Sequence, residues 1–275
     1  MKISDYYIGF IGFGHMAQTI FKVIDESRLL PRSQITFLRR DTHKMRENEK
    51  KFGITATSLE NLVHKSHLIL LCTRPNQAEE ILKNLQIIQE AGTERKMVIS
   101  ILAGTTLTYF QRFLGPEMQV LRVMPNLASA VGEGMSIFSF APNASVEFRS
   151  AANQLFASMG EVMEVPENFM DTCCAIAGSG PGFVFRLIES MARLGEKQGL
   201  SYEKALKMAA QTFLGASKLI LKGALPKSLI DQIATPNGTT EAGLKVMTET
   251  DIDGHFQAVI TASARRSKEI SEQFS

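Results

Sequence analysis

The chain has 275 residues, enough for one large domain or two ordinary ones at about 150 residues each. Hydrophobic residues make up 44% of it and charged residues 21%, a composition that excludes disordered, collagen-like and fibrous proteins. The formal net charge is +2, and no basic stripe is interleaved with aromatic residues, so we expect no nucleic-acid partner.

The apolar runs and the cysteines bear on location. The longest apolar run, residues 68–72, is far shorter than the roughly 18 residues that span a bilayer, and the first residues lack a signal-peptide layout. We therefore expect no membrane association. Three cysteines cannot all pair, and Cys173 and Cys174 are adjacent, which predicts reduced thiols in the cytoplasm. No His/Cys cluster has metal-ligand spacing, so no metal is expected.

Residues 1–165 alternate short apolar runs with segments of helical period. The predicted strands are residues 7–12, 35–40, 54–56, 68–73, 97–101, 120–124, 135–140 and 161–165. A parallel strand needs a crossover of a dozen or so residues, which a helix supplies, so this rhythm predicts an α/β domain with a parallel, doubly wound sheet of Rossmann type. Strands that are apolar without alternation are typical of a sheet covered by helices on both faces.

After Pro166 only helical patterns remain. The predicted helices are residues 167–175, 180–199, 201–222, 226–233, 238–248 and 253–272. They predict an all-α domain over residues 166–275. Helices 201–222 and 253–272 each carry an apolar stripe. A domain of about 110 residues cannot bury this much apolar surface within itself, so we expect it to pack against a second subunit.

The first predicted strand runs into the pattern Gly12-x-Gly14-x-x-Ala17 at the start of a helix. Gly12 permits a tight turn, Gly14 lets a pyrophosphate approach the backbone, and Ala17 lets the helix lie close to the strand. These spacings predict a dinucleotide site. Its candidate residues are Gly12, Phe13, Gly14, His15, Met16 and Ala17.

The second strand ends at Arg39 and Arg40, where an NAD enzyme would place a carboxylate for the ribose 2′-hydroxyl. Two guanidinium groups suit a 2′-phosphate, so NADPH is the predicted cofactor, with NADH still possible. Asp41 follows two residues late for the carboxylate role. The alternative is that the arginine pair only solvates a strand end.

Four further segments stand in a characteristic order. They are LCTRPN at 71–76, VMPN at 123–126 with VGEG at 131–134, AGSGPGFVF at 177–185, and DQIATPNGTTEAGL at 231–244. In order and spacing these resemble the motifs of the pyrroline-5-carboxylate reductase family, and the resemblance covers essentially the whole chain. It implies the last step of proline biosynthesis, the reduction of (S)-1-pyrroline-5-carboxylate to L-proline with NAD(P)H.

The resemblance also implies an architecture and a set of site residues. The expected fold is an N-terminal Rossmann domain and a C-terminal helical domain that forms a homodimer, with active sites at the dimer interface and higher assemblies in some members. It assigns Gly238 and Thr239, next to Asn237, to the substrate carboxylate, and the Thr240 hydroxyl to the imine nitrogen. It places Ser179, Gly180 and Pro181 near the nicotinamide and the substrate, and it places around the cofactor Cys72, Thr73, Arg74, Pro75, Ala103, Gly104 and Asn126.

The residues themselves support part of this assignment. Residues 237–240 open a predicted helix, whose free N–H groups form an anion site. The alternative is that Thr239 or Thr240 only caps that helix. The sequence departs from the family pattern with His15 for asparagine, Arg74 for lysine, Leu127-Ala128 for Thr-Pro, Gly182-Phe183 for Ala-Tyr, and Asn237 for the first glycine of the last signature.

Two other functions stay open. A β-hydroxyacid dehydrogenase would share the domain order, but it would need an active-site lysine on a mid-chain helix, and no lysine occurs there before Lys197. A non-catalytic dinucleotide-binding regulatory relative would keep the fold without turnover. The intact Gly12, Gly14, Gly238 and Thr240 argue against it.

Overall fold

The computed structural model describes residues 2–90 and 96–274. Within them, all eight predicted strands are confirmed to within two residues at each end. The strands are β1 (Ile8–Ile11), β2 (Ile35–Leu38), β3 (Thr55–Ala56), β4 (Leu68–Leu71), β5 (Met97–Ser100), β6 (Gln119–Met124), β7 (Gly134–Phe140) and β8 (Gly160–Glu164).

The strands form one sheet in the order β3-β2-β1-β4-β5-β6-β7-β8. Neighbouring strands are parallel except β6 and β7, which pair antiparallel with Val123 opposite Phe138. The prediction of a parallel sheet is therefore confirmed at the other six pairs and wrong at this one. The physical reason is the short connection: residues 125–133 contain only a 3₁₀ turn, Leu127–Val131, and cannot form the long crossover that a parallel neighbour requires.

Helices cover both faces of the sheet, and all described elements after β8 are helical. The helices are α1 (His15–Glu26), α2 (Thr42–Phe52), α3 (Leu59–Lys65), α4 (Ala78–Glu90), α5 (Leu107–Leu114), α6 (Val146–Ala157), α7 (Met170–Cys173), α8 (Gly180–Lys197), α9 (Tyr202–Leu221), α10 (Pro226–Ile233), α11 (Thr239–Glu249) and α12 (Ile252–Ser271). A π-helix, Cys174–Gly178, lies between α7 and α8. The predicted α/β fold class followed by helices is confirmed.

The core of the sheet region lies in two apolar layers, one on each face. β1 is fully buried along its length, as expected of a central strand covered on both sides. Phe13 is 1% exposed and packs its ring against those of Phe10, Phe37 and Phe52, so the loop after β1 is anchored in the core.

The chain separates into two compact units. Unit 1 comprises Met1–Gly178 with Ser263–Ser275, and unit 2 comprises Ser179–Ala262. The sheet ends at Glu164, next to the boundary predicted at 165, but unit 1 continues to Gly178 and also takes in the last residues of the chain, which return to the sheet region. There the hydroxyls of Ser267 and Ser271 donate to Asp171 Oδ1 over 2.6 and 3.1 Å.

Unit 2 is a set of helices with a small buried core and large exposed apolar surfaces. In α8 and α9, Ala192, Ala205 and Ala209 are buried, and the two helices pack closely where Gly195 faces Ala205. By contrast, Leu194 is 61% and Leu221 77% exposed. Among the described residues, no helix combines the length and the apolar character needed to cross a membrane.

Candidate active site

The loop after β1 has the geometry of a phosphate-binding turn. Gly12 has a φ of +88°, and a Cβ there would lie 2.7 Å from the carbonyl oxygen of Cys72, so only glycine fits. A Cβ on Gly14 would meet nothing within 4 Å. Gly14 is also the N-cap of α1, and no side chain caps that helix. The first N–H groups of α1 are therefore available to an anion, with the positive end of the helix dipole behind them.

Two side chains stabilise this loop by donating hydrogen bonds to the same backbone oxygen. The carbonyl oxygen of Phe13 accepts hydrogen bonds from Arg39 Nη1 over 3.0 Å and from Gln18 Nε2 over 3.1 Å. Because the Phe13 ring is buried, the residue contributes only its backbone to the loop surface. The strand end at Arg39 and the glycine turn are thus held together as one element.

A cleft of about 910 Å³ opens beside the loop. It brings together nine of the predicted cofactor residues: Gly12, Phe13, Gly14, His15, Arg39, Arg40, Cys72, Thr73 and Arg74. Six others are not part of its lining: Met16, Ala17, Pro75, Ala103, Gly104 and Asn126. Sequence reasoning missed a polar group on the far wall, formed by Asn76, Gln77, Glu80 and Asn84. Asn76 and Gln77 closely follow the end of β4 at the carboxyl edge of the sheet, and this was the signal that could have found them, whereas Glu80 and Asn84 lie within α4 and had no such signal.

The acidic residue near the arginine pair is already engaged. Asp41 is the N-cap of α2, and its Oδ1 accepts from the Lys44 amide over 3.0 Å. This hydrogen bond lowers the pKa of the Asp41 carboxyl, which therefore stays ionised as a cap. The Arg40 side chain, in contrast, is exposed in the cleft wall. The charge that the strand end offers to a ligand is positive.

The end of β4 supplies the opposite wall. The Cys72 thiol packs against the core, and burial raises its pKa, so this thiol stays protonated and uncharged. The neighbouring Thr73 Oγ1 is buried and has no hydrogen-bond partner within residues 2–90 and 96–274. A buried hydroxyl without a partner is costly, and one on a cleft wall is suited to a polar ligand. Together with the open Gly14 and the two arginines, this wall fits a phosphorylated dinucleotide.

Gly104, predicted beside the cofactor, faces another part of the chain. It has a φ of +78°, and a Cβ there would overlap the side chain of Ile270. Two residues later, Thr106 Oγ1 donates to the carbonyl of Phe274 over 3.1 Å. The loop after β5 is therefore covered by the C-terminal segment of unit 1, and in this structure Gly104 supports that packing.

Asn126 is buried, and both ends of its amide are used within unit 1. Nδ2 donates to the carbonyl of Ala177 over 3.0 Å, and Oδ1 accepts from the amides of Ala128 and Met135 over 3.2 and 3.3 Å. Ala177 belongs to the π-helix, a type of turn found frequently at functional sites. Asn126 thereby fixes the backbone that leads into Ser179.

The start of α11 in unit 2 presents a second anion-binding geometry. Gly238 is its N-cap, and no side chain caps the helix, so neither Thr239 nor Thr240 serves as a cap. The Thr240 side chain is half-buried, and in the described part of the chain its hydroxyl has no hydrogen-bond partner. A groove of about 610 Å³ next to this turn is lined by Asn237 and Gly238 but not by the two threonines.

The start of α8 in the same unit holds the three small residues predicted near the substrate. Ser179 is the N-cap, without a side-chain cap bond, and Pro181 lies in the first turn. A Cβ on Gly180 would meet nothing within 4 Å, so the backbone is open there. Proline in the first turn costs the helix no hydrogen bond.

Known proteins match this chain over both of its parts. The family described as pyrroline-5-carboxylate reductase dimerisation matches residues 167–270, and that described as NADP oxidoreductase, coenzyme F420-dependent, matches residues 7–104. Over 268 residues the chain is 33% identical to pyrroline-5-carboxylate reductase 1 of Bacillus subtilis, covering 96% of this chain and 89% of that protein. The chain belongs to the pyrroline-5-carboxylate reductase family.

Other members of the pyrroline-5-carboxylate reductase family agree in sequence and in fold. The enzyme of Pisum sativum is 33% identical, with 98% of each chain covered. Among solved structures, the Plasmodium falciparum pyrroline carboxylate reductase with NADP bound superposes with a TM-score of 0.87 at 26% identity, covering 98% of this chain and 99% of that one. The Coxiella burnetii enzyme gives 0.88 at 26% identity, covering 97% and 98%. The family predicted from the motifs is confirmed, and the β-hydroxyacid dehydrogenase alternative is set aside.

Proposed function

We propose that this chain is an oxidoreductase that reduces (S)-1-pyrroline-5-carboxylate to L-proline at the expense of NAD(P)H, the final step of proline biosynthesis. The observation that carries the proposal is the extent of the similarity: 96% of the chain aligns with a named reductase, so both the glycine loop and the start of α11 are included. The geometry of these two regions supports it independently, since each offers uncapped helix N–H groups to an anion.

NADPH is the proposed cofactor, with NADH as the alternative. When bound, it supplies a hydride from C4 of its nicotinamide. The N–H groups of the first turn of α1 would hold the pyrophosphate, and Arg39 and Arg40 would hold the 2′-phosphate through charge-assisted hydrogen bonds. The partner-free Thr73 hydroxyl is suited to a ribose or phosphate oxygen. Other proposed cofactor residues are Gly12, Phe13, Gly14, His15, Met16, Ala17, Cys72, Arg74, Pro75 and Ala103; Gly104 and Asn126 would act through the backbone they support.

At the substrate end, the turn of Gly238 and Thr239, next to Asn237, would bind the carboxylate, with the Thr239 amide as donor because the Gly238 amide already donates to the carbonyl of Thr235. The Thr240 hydroxyl would donate to the ring nitrogen. A protonated imine is a better electrophile than a neutral one, so the site needs a hydrogen-bond donor at the ring nitrogen. A proton that this donor passes to the nitrogen is replaced from water. An unperturbed threonine hydroxyl is no acid, so we assign Thr240 a positioning and relay role. The ring would lie against Ser179, Gly180 and Pro181, where the backbone is open at Gly180.

We further propose that two copies pair through the helices of unit 2. Large apolar side chains on α8, α9, α10 and α11 are exposed in a single chain, and the matching family domain is described as one of dimerisation. The same exposed apolar surfaces would also allow dimers to assemble into larger oligomers. Sedimentation of the purified protein at micromolar concentration checks this, and a stable monomer would contradict it.

The site of action that we propose is the cytoplasm, on the ground that all three cysteines, Cys72, Cys173 and Cys174, are free thiols.

One assay tests the proposed activity. The purified chain is mixed with racemic pyrroline-5-carboxylate and NADPH, and then with NADH, while both cofactor oxidation and proline formation are measured. We expect proline to form in equal amount to the NADPH consumed. A chain that binds NADPH and forms no proline would contradict the proposal and favour the non-catalytic relative.

A further inference from the structure

The turn before α11 holds an unusual backbone conformation. Asn237 has a φ of +59°, in the left-handed region that favours glycine. Asparagine tolerates this region better than most residues but less freely than glycine, which the family signature normally has at this position. Something must hold Asn237 there.

The contact that does so is a side chain one helical turn later. The backbone amide of Asn237 donates a hydrogen bond to Glu241 Oε2 over 2.8 Å. Glu241 is the third residue of α11 and is exposed. Its carboxylate thus reaches back over the N-terminus of its own helix and fixes the residue that precedes the cap.

The rest of the turn is equally tight. The Gly238 amide donates to the carbonyl of Thr235 over 2.9 Å. A Cβ on Gly238 would lie 2.8 Å from that carbonyl oxygen and would overlap the Thr235 hydroxyl. The directions in which the following amides point are therefore set by this turn, whose outer corner is pinned by Glu241.

We propose that Glu241 is a positioning residue for substrate binding: its bond to the Asn237 amide fixes the turn so that the following amides are ready for the carboxylate of the imine. This rests on the proposed function. The charge of Glu241 would repel an anionic substrate, whereas its bond to the backbone amide of Asn237 orders the turn that grips that substrate. The two effects have opposite signs, so they can be separated by substitution.

The test uses three variants of the full chain in steady-state NADPH oxidation. Glu241→Ala removes the acceptor, and we expect the KM for pyrroline-5-carboxylate to rise about 3- to 10-fold, the effect of one exposed, charge-assisted hydrogen bond, with kcat and the KM for NADPH within about twofold. Glu241→Gln keeps an acceptor oxygen and loses the charge, so its KM should equal that of the wild type or fall below it. Glu249→Ala is the matched control, an exposed glutamate on the same helix that pairs only loosely with Lys245.

Several results would overturn the proposal. An unchanged or lower KM in Glu241→Ala would do so, even with a lowered melting temperature, since that would make Glu241 a purely structural cap. If the KM for pyrroline-5-carboxylate rose as much in Glu241→Gln as in Glu241→Ala, the effect would come from the charge of Glu241 and not from the hydrogen bond to Asn237. A wild-type chain without turnover would overturn the proposed function and this inference with it, whereas an active wild type with an insensitive Glu241→Ala would overturn the inference only.

Discussion

The guanidinium of Arg39 donates to the carbonyl oxygen of Phe13 over 3.0 Å, so the end of β2 is tied directly to the glycine loop that follows β1. Arg39 is half-buried while Arg40 is exposed beside it. The carboxylate that follows in sequence, Asp41, is used to cap α2. Arg39 therefore has a structural duty in addition to its charge, and Arg40 is free of that duty.

This difference predicts how the two arginines affect cofactor choice. Arg40→Ala should weaken NADPH binding about 10-fold and leave NADH binding nearly unchanged, because it removes one charge-assisted contact to the 2′-phosphate. Arg39→Ala should weaken both cofactors, because it also releases the glycine loop. Dissociation constants from fluorescence titration measure this, with Arg46→Ala, an exposed arginine on α2, as the control. Equal losses for NADPH and NADH in Arg40→Ala would refute the assignment.

The Thr240 hydroxyl, which has no partner in the described chain, gives a second prediction. Thr240→Val keeps the shape and removes the hydroxyl. We expect kcat/KM for the imine to fall 10-fold or more, a loss of about 1.4 kcal/mol or more of transition-state stabilisation, with NADPH binding unchanged. Thr240→Ser, which restores a hydroxyl, should recover most of the activity. Full activity in Thr240→Val would remove the threonine from the mechanism.

Asn126 predicts a loss of stability that is separate from cofactor contact. Asn126→Ala removes a buried amide and leaves the Ala177 carbonyl and two backbone amides without partners, so we expect a cost of about 2 to 3 kcal/mol in the free energy of unfolding. Asn143→Ala is the matched control, because Asn143 also bonds two carbonyls, of Pro116 and Met118, but is exposed, and its loss should cost about 1 kcal/mol or less. Urea denaturation measures both. Similar small losses would show that Asn126 does not secure the π-helix.

Periodicity was enough to locate the strands because the sheet is covered on both faces, and the central strands β1 and β4 are uninterrupted, fully buried apolar runs. The same property hid the direction of β7, since a buried antiparallel strand has the same pattern as a parallel one. The carboxyl-edge rule placed Gly104 and Asn126 at the correct edge. It could not show that Ile270 covers Gly104 or that Ala177 engages Asn126, because both contacts join residues far apart in the chain.

At the site, the glycine loop and the arginine pair were predictable because their spacing has a direct physical meaning. Glu80 and Asn84 on the far wall were not, because polar residues along a helix look the same whether they face solvent or a ligand. The bond between Asn237 and Glu241 was also missed. A glutamate four residues after a turn residue is common in sequences, so it does not indicate a hydrogen bond. Only the backbone conformation of Asn237 shows why this glutamate matters.

An ion pair between Asp25 and Arg32 joins the end of α1 to the residues before β2. Arg32 Nε and Nη2 donate to the two carboxylate oxygens of Asp25, each over 2.7 Å. The hydrogen bonds from Arg32 lower the pKa of the Asp25 carboxyl in the folded protein. Because the folded state favours the ionised form, the pair stabilises the protein above the unfolded-state pKa of about 3.9 and loses that contribution as the pH falls through the lowered pKa.

The stability of Asp25→Asn should therefore depend on pH in a defined direction. Near neutral pH we expect the variant to unfold about 1 kcal/mol more easily than the wild type, the value for a well-formed but partly exposed pair, and the difference should shrink at high salt. Below the lowered pKa the difference should vanish, because the wild-type carboxyl is then protonated as well. Urea denaturation at both pH values measures this, with Glu26→Gln, an exposed neighbour, as the control. A difference that persists or grows in acid would mean that the aspartate acts through packing, since only an ionised carboxylate gains from the bidentate contact.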